Sequence, residues 1–419
     1  MTNEGKGVGP AQPRAGAMAF IFATALINAI SFGIMIPILP NLIKHMVGGD
    51  TAMASDWNVL FSVSWGVMQM IFGPILGMLS DRYGRRPVML VSIFGLFVDF
   101  LFMAFAPTLA WLLVGRILNG VTSASFSTAN AYVADITPPD RRARNFGLLG
   151  SAFGFGFIIG PTIGGLLGEN NLRLPFEVAA GLCLVNGLYG LFVLPESLTP
   201  ERRNPVVEWA RANPFGSLVF LRERRELLGL AAVGFLNQLA RMVLPTIFVL
   251  YTGYRYGWTP ATLGWTFMAS GTCMVLVQMF LVGPVVKAVG ERGAVLIGAS
   301  FGVIGFLNYA LAYSPWMYLA GIPVFALLDL LTPGLMGLMS RRVGVQHQGQ
   351  LQGVNQSLQG VASVLGPLIF GLTFAWSVRQ NATLHLPGLA ILVSAALLVI
   401  ALALSIRVAR PASLAVAPA

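Results

Sequence analysis

Runs of about twenty or more apolar residues, parted by short polar breaks, recur along the whole chain. They fall at approximately 17–40, 57–79, 87–106, 109–132, 145–168, 174–194, 227–251, 261–285, 293–313, 316–340, 350–376 and 384–407. A bilayer core about 30 Å thick is crossed by about 20 residues at 1.5 Å rise each, so the pattern predicts twelve crossings. Period-two alternation, the mark of a membrane barrel, is missing. Only helices and closed barrels satisfy their backbone groups in lipid, so the segments read as helices. The first run follows Arg14 and could pass for a signal peptide, yet it is longer than an apolar signal core. No small-residue cleavage site precedes Pro37 and Pro40, and it reads as the first spanning helix.

One long polar interruption, residues 195–226, splits the crossings six and six. The expected domains are an N-terminal six-helix bundle (1–194), a cytoplasmic linker (195–226) with a short interfacial helix at its end, and a C-terminal six-helix bundle (227–419). At a shift of 206 residues, Gly77 pairs with Gly283, Gly84 with Gly290, Arg86 with Arg292, Gly147 with Gly353, Gly154 with Gly360, Gly160 with Gly366 and Pro161 with Pro367. All seven are special-backbone or loop-charge positions. The expected fold is therefore an all-α membrane protein of twelve transmembrane helices in two pseudo-symmetric six-helix bundles. Parallel repeats of this kind belong to transporters that rock two bundles about a midplane site.

Composition agrees: 56% of residues are hydrophobic and 10% charged, against about 25% charged in a soluble domain. A formal charge of +10 raises the question of nucleic acid. Twenty of the 26 Lys and Arg, however, lie in alternate loops and the two termini, including Arg82, Arg85 and Arg86 and the cluster Arg141, Arg142 and Arg144. That is the positive-inside asymmetry of a multi-pass inner (plasma) membrane protein with both termini cytoplasmic, and no nucleic-acid partner is expected. Cys183 and Cys273 both sit in apolar runs and read as packing residues. With no nucleotide-binding Gly-Lys-Ser/Thr loop and no metal-ligand cluster, neither an enzyme nor an ATP-driven pump is expected, and no cofactor.

Three stretches carry candidate chemistry. In "GMLSDRYGRRPVML", positions 77–90, Gly77 can allow close helix contact, Asp81 can accept from a helix N-terminus or pair with an arginine of the 141–144 cluster, and Gly84 can make the turn. In "GFIIGPTIGG", 156–165, Gly156 and Gly160 form a small-residue face continued by Gly164 and Gly165, and Pro161 bends the helix. In "GRILNG", 115–120, Arg116 lies inside a crossing, where an unpaired charge costs several kcal/mol.

With "IPILP" (36–40), "FGPILG" (72–77), "VADITPPDRRARNFG" (133–147), "VLPES" (193–197), "YGWTPATLG" (256–264) and "GQLQG" (349–353), these stretches make the chain resemble the major facilitator superfamily, most closely its tetracycline/proton antiporter branch. The resemblance covers essentially the whole chain. It implies that the 77–90 loop, with Gly77, Asp81, Arg82, Gly84, Arg86 and the facing Arg142, is a conformational gate that latches the two halves when the cavity faces outward. It implies that Gly156, Gly160, Pro161, Gly164 and Gly165 form an antiporter motif tied to export.

The sequence also departs from that branch, which places coupling acids on the first, third and ninth crossings and a histidine on the eighth. Here the matching positions hold Asn28, Asp99, Gly302 and Met274, so only Asp99 remains. His45, His347 and His385 lie in loops or at helix ends, unlike a membrane proton relay. Two charges are new, Arg241 on the seventh crossing and Asp329 on the tenth, and a buried pair between them is expected because each alone would be expensive. Proton-coupling candidates are thus Asp99, Asp329 and Arg116, and cavity candidates are Asn28, Arg116, Gln238, Arg241, Asp329 and Asn355. A static ion pair, and Asn or Gln serving as glue between helices, are the alternatives. If both arginines face the cavity its potential is positive, which suits an anionic or zwitterionic substrate.

The expectation is a monomeric secondary transporter, embedded in the lipid bilayer, that exports an amphipathic small molecule by alternating access in exchange for protons. The proton gradient is the energy source and tetracycline the first substrate to consider. An importer or facilitator of a nutrient or organic anion is the alternative, and a transport-inactive sensor or scaffold the second.

Overall fold

The computed structural model describes residues 15–138, 141–203, 221, 224–343 and 347–409. Among the described residues there are helices and no strands. The first bundle contains α1 (Ala15–Met46), α2 (Thr51–Tyr83), α3 (Arg85–Phe105), α4 (Leu109–Ile136), α5 (Arg142–Gly168) and α6 (Leu174–Val193). The second begins with α7 (Leu227–Tyr256). The apolar stretch that follows, Pro260–Leu311, has 52 residues and as one helix would be about 78 Å long, far more than a bilayer core. Gly290, at φ 72° and ψ 172°, breaks it into α8 (260–289) and α9 (291–311). The chain continues as α10 (Pro315–Arg342), α11 (Gln348–Arg379) and α12 (Leu389–Val408).

All twelve expected crossings are thus helices. The last starts later than the expected residue 384, because a short helix Asn381–Leu384 ends on His385 in left-handed backbone (φ 49°) ahead of Pro387 and Gly388. The interfacial helix expected at the linker's end lies outside the described residues, as do Lys6, Arg14 and Arg410.

Local chemistry sets the helix ends. Asp50 opens α2 by accepting from the backbone N–H groups of Ala52 (2.8 Å) and Met53 (3.0 Å). Gly84 turns the chain from α2 into α3 at φ 108°, a conformation that favours glycine, and Gly290 does the same from α8 into α9. Those two glycines are mates in the 206-residue repeat, so the sequence identity marks one turn built twice.

Close packing follows the small residues, as it must where lipid offers no hydrophobic drive for helices to associate. The α5 stripe Gly156, Gly160 and Gly164 lies on the α1 backbone at Ala29, Ile30, Gly33 and Ile34, where any β-carbon would collide. In the second bundle Gly366 of α11, the repeat mate of Gly160, presses on Met242 of α7. Gly298, Gly302 and Gly305 of α9 form a similar seat under Leu331, Leu328 and Phe325 of α10. On the side of the second bundle away from the basic loops, Tyr309 and Tyr318 stack at 4.3 Å between ring centroids, and the Tyr251 hydroxyl donates to the Tyr309 carbonyl at 2.9 Å.

Gly160→Ala places a methyl group on the Ile30 carbonyl, whereas Gly147→Ala on the same helix enters open space. Gly160→Ala is expected to lower stability by about 1–3 kcal/mol, read as a lower thermal midpoint of the detergent-purified protein, while Gly147→Ala leaves it unchanged or slightly higher.

Candidate transport site

The two bundles meet at one end and part at the other. Away from the basic loops, α5 and α8 touch backbone to backbone: the Thr162 hydroxyl donates to the Gly264 carbonyl at 3.2 Å, and Gly165 lies on Pro260 and Gly264. Glu169, just past α5, accepts from the Ala261 N–H at 2.9 Å in the first turn of α8. On the other side of the seal, Ser55 of α2 donates to the Gly371 carbonyl at 2.9 Å and Asn58 donates to the Thr246 carbonyl at 2.8 Å. Asp56 pairs with Arg379 beside them.

Toward the basic loops these contacts run out. A β-carbon at Gly66 would still lie 3.5 Å from Ser363 and Val364, and one at Gly360 3.8 Å from Met70. Beyond them Gly73 and Gly77 of α2, Gly147, Gly150 and Gly154 of α5, Gly283 of α8 and Gly349 of α11 all face open space. A cleft therefore runs from mid-depth to the basic face.

The close contact expected of Gly77 is not made: a β-carbon there would meet nothing within 4 Å among the described residues. Asp81 pairs with Arg85 at 2.5 Å. Arg85 also reaches Asp135 at 3.0 Å, Arg82 lies over the Tyr83 ring, and Arg86 donates to the Leu191 carbonyl. The side chain of Arg142 lies outside the described residues. Glu196, from the "VLPES" stretch, accepts the backbone N–H groups of Arg85 (2.8 Å) and Arg86 (3.2 Å), capping α3. Its carboxylate sits where a Gly84 β-carbon would be, a second reason for glycine there.

Asp99 and Arg116 form an ion pair at 3.1 Å inside the first bundle, with side chains 0% and 5% exposed. The guanidinium also meets the Met35 sulfur at 2.8 Å and the Trp65 ring at 5.7 Å from its centroid. Trp65 is held in turn by its indole N–H, which donates to Asn119 at 2.7 Å. Gly115 leaves room for Asp99, whose Oδ1 has no hydrogen-bond partner among the described residues. Asn28, expected to line the cavity, is buried with an unpartnered Oδ1, so in this conformation neither it nor Arg116 opens on the cleft.

The second bundle brings the expected new pair together: Arg241 Nη2 and Asp329 Oδ1 are 2.7 Å apart. This pair is more open, its side chains 23% and 13% exposed. Gln238 lies one turn before Arg241 and is half-buried, and Asn355 of α11 donates to the Met336 sulfur at 3.3 Å. With both arginines paired, four charges cancel, so the expectation of a positive cavity does not hold. At the other positions where the resemblance implies titratable groups, Met274 is exposed and Gly302 is pressed against Leu328, which leaves no space for a side chain.

Several structural residues were not singled out from the sequence. Glu169, Asp56 and Arg379 join positions far apart in the chain and carry no local signal. Glu196 lay within a recognised stretch, and a carboxylate beside a glycine turn opening a helix could have pointed to its capping role.

Two six-helix bundles joined at one end, with a one-sided cleft and a charge pair in each bundle, define a secondary transporter of the alternating-access class, not an enzyme. The family model of the Major Facilitator Superfamily matches residues 21–236 and 230–419. The chain belongs to this superfamily and, within it, to the family of the tetracycline resistance proteins. It is 37% identical to the class C protein of Escherichia coli over 92% of this chain and 95% of that one. To the class H protein of Pasteurella multocida it is 34% identical, over 86% of this chain and 90% of the relative. Among solved structures it resembles the nucleoside transporter NupG, with a TM-score of 0.75 at 13% identity over 94% of this chain and 99% of that one. It also resembles the human organic anion transporter MFSD10, with a TM-score of 0.67 at 21% identity over 94% and 100% of the two chains.

The sealed end supplies a direct test. Cysteines replacing Asp56 and Arg379, cross-linked in the membrane, are expected to stop transport by at least tenfold and to release it on reduction. The readout is substrate uptake before and after reductant, with each single cysteine as control.

Proposed function

We propose that this protein exports an amphipathic small molecule, a tetracycline-type drug first, across the cell inner membrane in exchange for protons. The excess of Lys and Arg in alternate loops supports a cytoplasmic location for the open face of the cleft and for both chain termini, and with it an inward-open reading of the conformation described. The protein works as a monomer, since the cleft is framed by the two bundles of one chain. It uses no cofactor, and the proton gradient supplies the energy.

The observation that carries this reading is the nearly full-length similarity to tetracycline resistance proteins from two bacterial species. The α5 stripe fixes α5 on α1 while Thr162 and Gly165 of the same helix meet α8, so a single helix couples the bundles as alternating access requires. Antiport needs a titrating group whose charge state depends on the conformation, and the bundles offer two carboxylates within the bilayer, Asp99 and Asp329.

Inverted membrane vesicles with an acidic interior are expected to accumulate tetracycline, and a protonophore to abolish the accumulation. Uptake indifferent to the pH gradient would sink the antiport reading, and no uptake of tetracycline at any gradient would sink the drug assignment.

A further inference from the structure

The two buried pairs differ in one physical respect that decides what each can do. Asp99–Arg116 is sealed, whereas Arg241–Asp329 is partly exposed and sits where both of its helices are interrupted. In α7 the helical pieces Arg225–Arg241 and Val243–Tyr256 are parted at Met242, and α10 tightens into a 3-10 turn over Leu327–Leu330. Both breaks have one cause. Pro245 stands four residues after Arg241 and Pro333 four residues after Asp329, so each proline withholds the N–H that would bond the carbonyl of the charged residue. The ion pair thus bridges two proline-made breaks, the places where α7 and α10 bend most readily.

The surroundings aim Asp329 away from its own bundle's core. Leu328, Leu330 and Leu331 on either side are fully buried, and Leu328 and Leu331 lie on the α9 glycines. Arg241 has a second acceptor in Asn237 Oδ1 at 3.4 Å, which can hold it when the carboxylate lets go. Of the other titratable groups on the described parts of α8 and α9, Cys273 packs with Leu327 against the cluster of Val277, Ala326 and Leu330, and Glu291 is engaged with Arg341 of α10.

We propose that Asp329 is the carboxylate at which the proton and a cationic amine of the exported molecule compete, with Arg241 as the group that takes its place between turnovers. This rests on the antiport reading. Export by antiport requires proton and substrate to exclude one another, and a carboxylate can enforce that only between two cations. A protonated Asp329 leaves Arg241 uncompensated and the site at +1, which repels an ammonium group. A deprotonated Asp329, released from Arg241 to Asn237, attracts it. The substrate class follows: an amphipathic ring system carrying a protonated tertiary amine, not a simple organic anion.

The test uses the full chain in proteoliposomes and in weakly buffered detergent, with tetracycline as probe. In the native protein, tetracycline uptake follows the pH gradient and tetracycline binding releases protons. Asp329→Asn, like the protonated carboxylate, leaves Arg241 uncompensated and is expected to lose both gradient-driven uptake and tetracycline counterflow at least tenfold and to release no protons, while a native elution position in size-exclusion chromatography reports folding; Asp329→Glu keeps uptake, counterflow and proton release. The double change Arg241→Gln with Asp329→Asn is expected to stay uncoupled. Its return to native gradient-driven uptake would make the pair structural and overturn the proposal. Equal proton release by an analogue lacking the dimethylamino group would overturn the amine assignment. Loss of gradient-driven uptake already in the native chain would overturn the antiport reading, and the proposal with it.

Discussion

The structure depends on how closely helix backbones can approach in a solvent that gives apolar side chains no reason to cluster. Helix α5 shows this most fully. Its Gly156, Gly160 and Gly164 lie on α1 of the same bundle, and Thr162 with Gly165 lies on α8 of the other. One helix is thereby fixed within its own bundle and joined to the opposite one at the end away from the basic loops. The open cleft at the basic face accompanies that seal: bundles that tilt about the α5–α8 contact close one end as they part at the other.

Charge imposes the second constraint. A lone charge within the bilayer is expensive, so each of Asp99, Arg116, Arg241 and Asp329 has a partner. Breaking a buried pair by removing one partner costs about 3–5 kcal/mol, which makes such a pair a strong bias on conformation wherever its two members lie on segments that can move. Asp99 and Arg116 are enclosed by Met35 and Trp65 within one bundle. Arg241 and Asp329 belong to segments interrupted by prolines, and their side chains are partly exposed. Pairs alike in chemistry are therefore unlike in their capacity to exchange partners.

The crossings were legible in the sequence because each needs an unbroken apolar run, and the repeat because turn glycines such as Gly84 and Gly290 admit few substitutes. The Arg241–Asp329 pair was legible for an energetic reason, since two isolated charges in separate apolar runs all but require each other. What was not legible depended on conformation or on long-range contact. Gly77 and Asp81 read from the sequence as parts of a latch, whereas among the described residues Gly77 faces open space and Asp81 pairs with Arg85 of its own loop. Asn28 and Arg116 were placed in the cavity by helix position alone, which does not say which way a side chain turns. The seal made by Asp56, Arg379 and Glu169 joins residues far apart in the chain and leaves no periodic trace.

The central claim is that the bundles exchange a seal at one end for a seal at the other. Spin labels in a cysteine-free background at Arg144 and Lys287, beside the open end, and at Asn170 and Tyr254, beside the sealed end, report both distances by double electron–electron resonance. Lowering the pH in the absence of drug is expected to shorten the first distance while lengthening the second, and tetracycline at neutral pH to reverse both. Distances that stay fixed, or that lengthen together, would contradict alternation between two sealed ends.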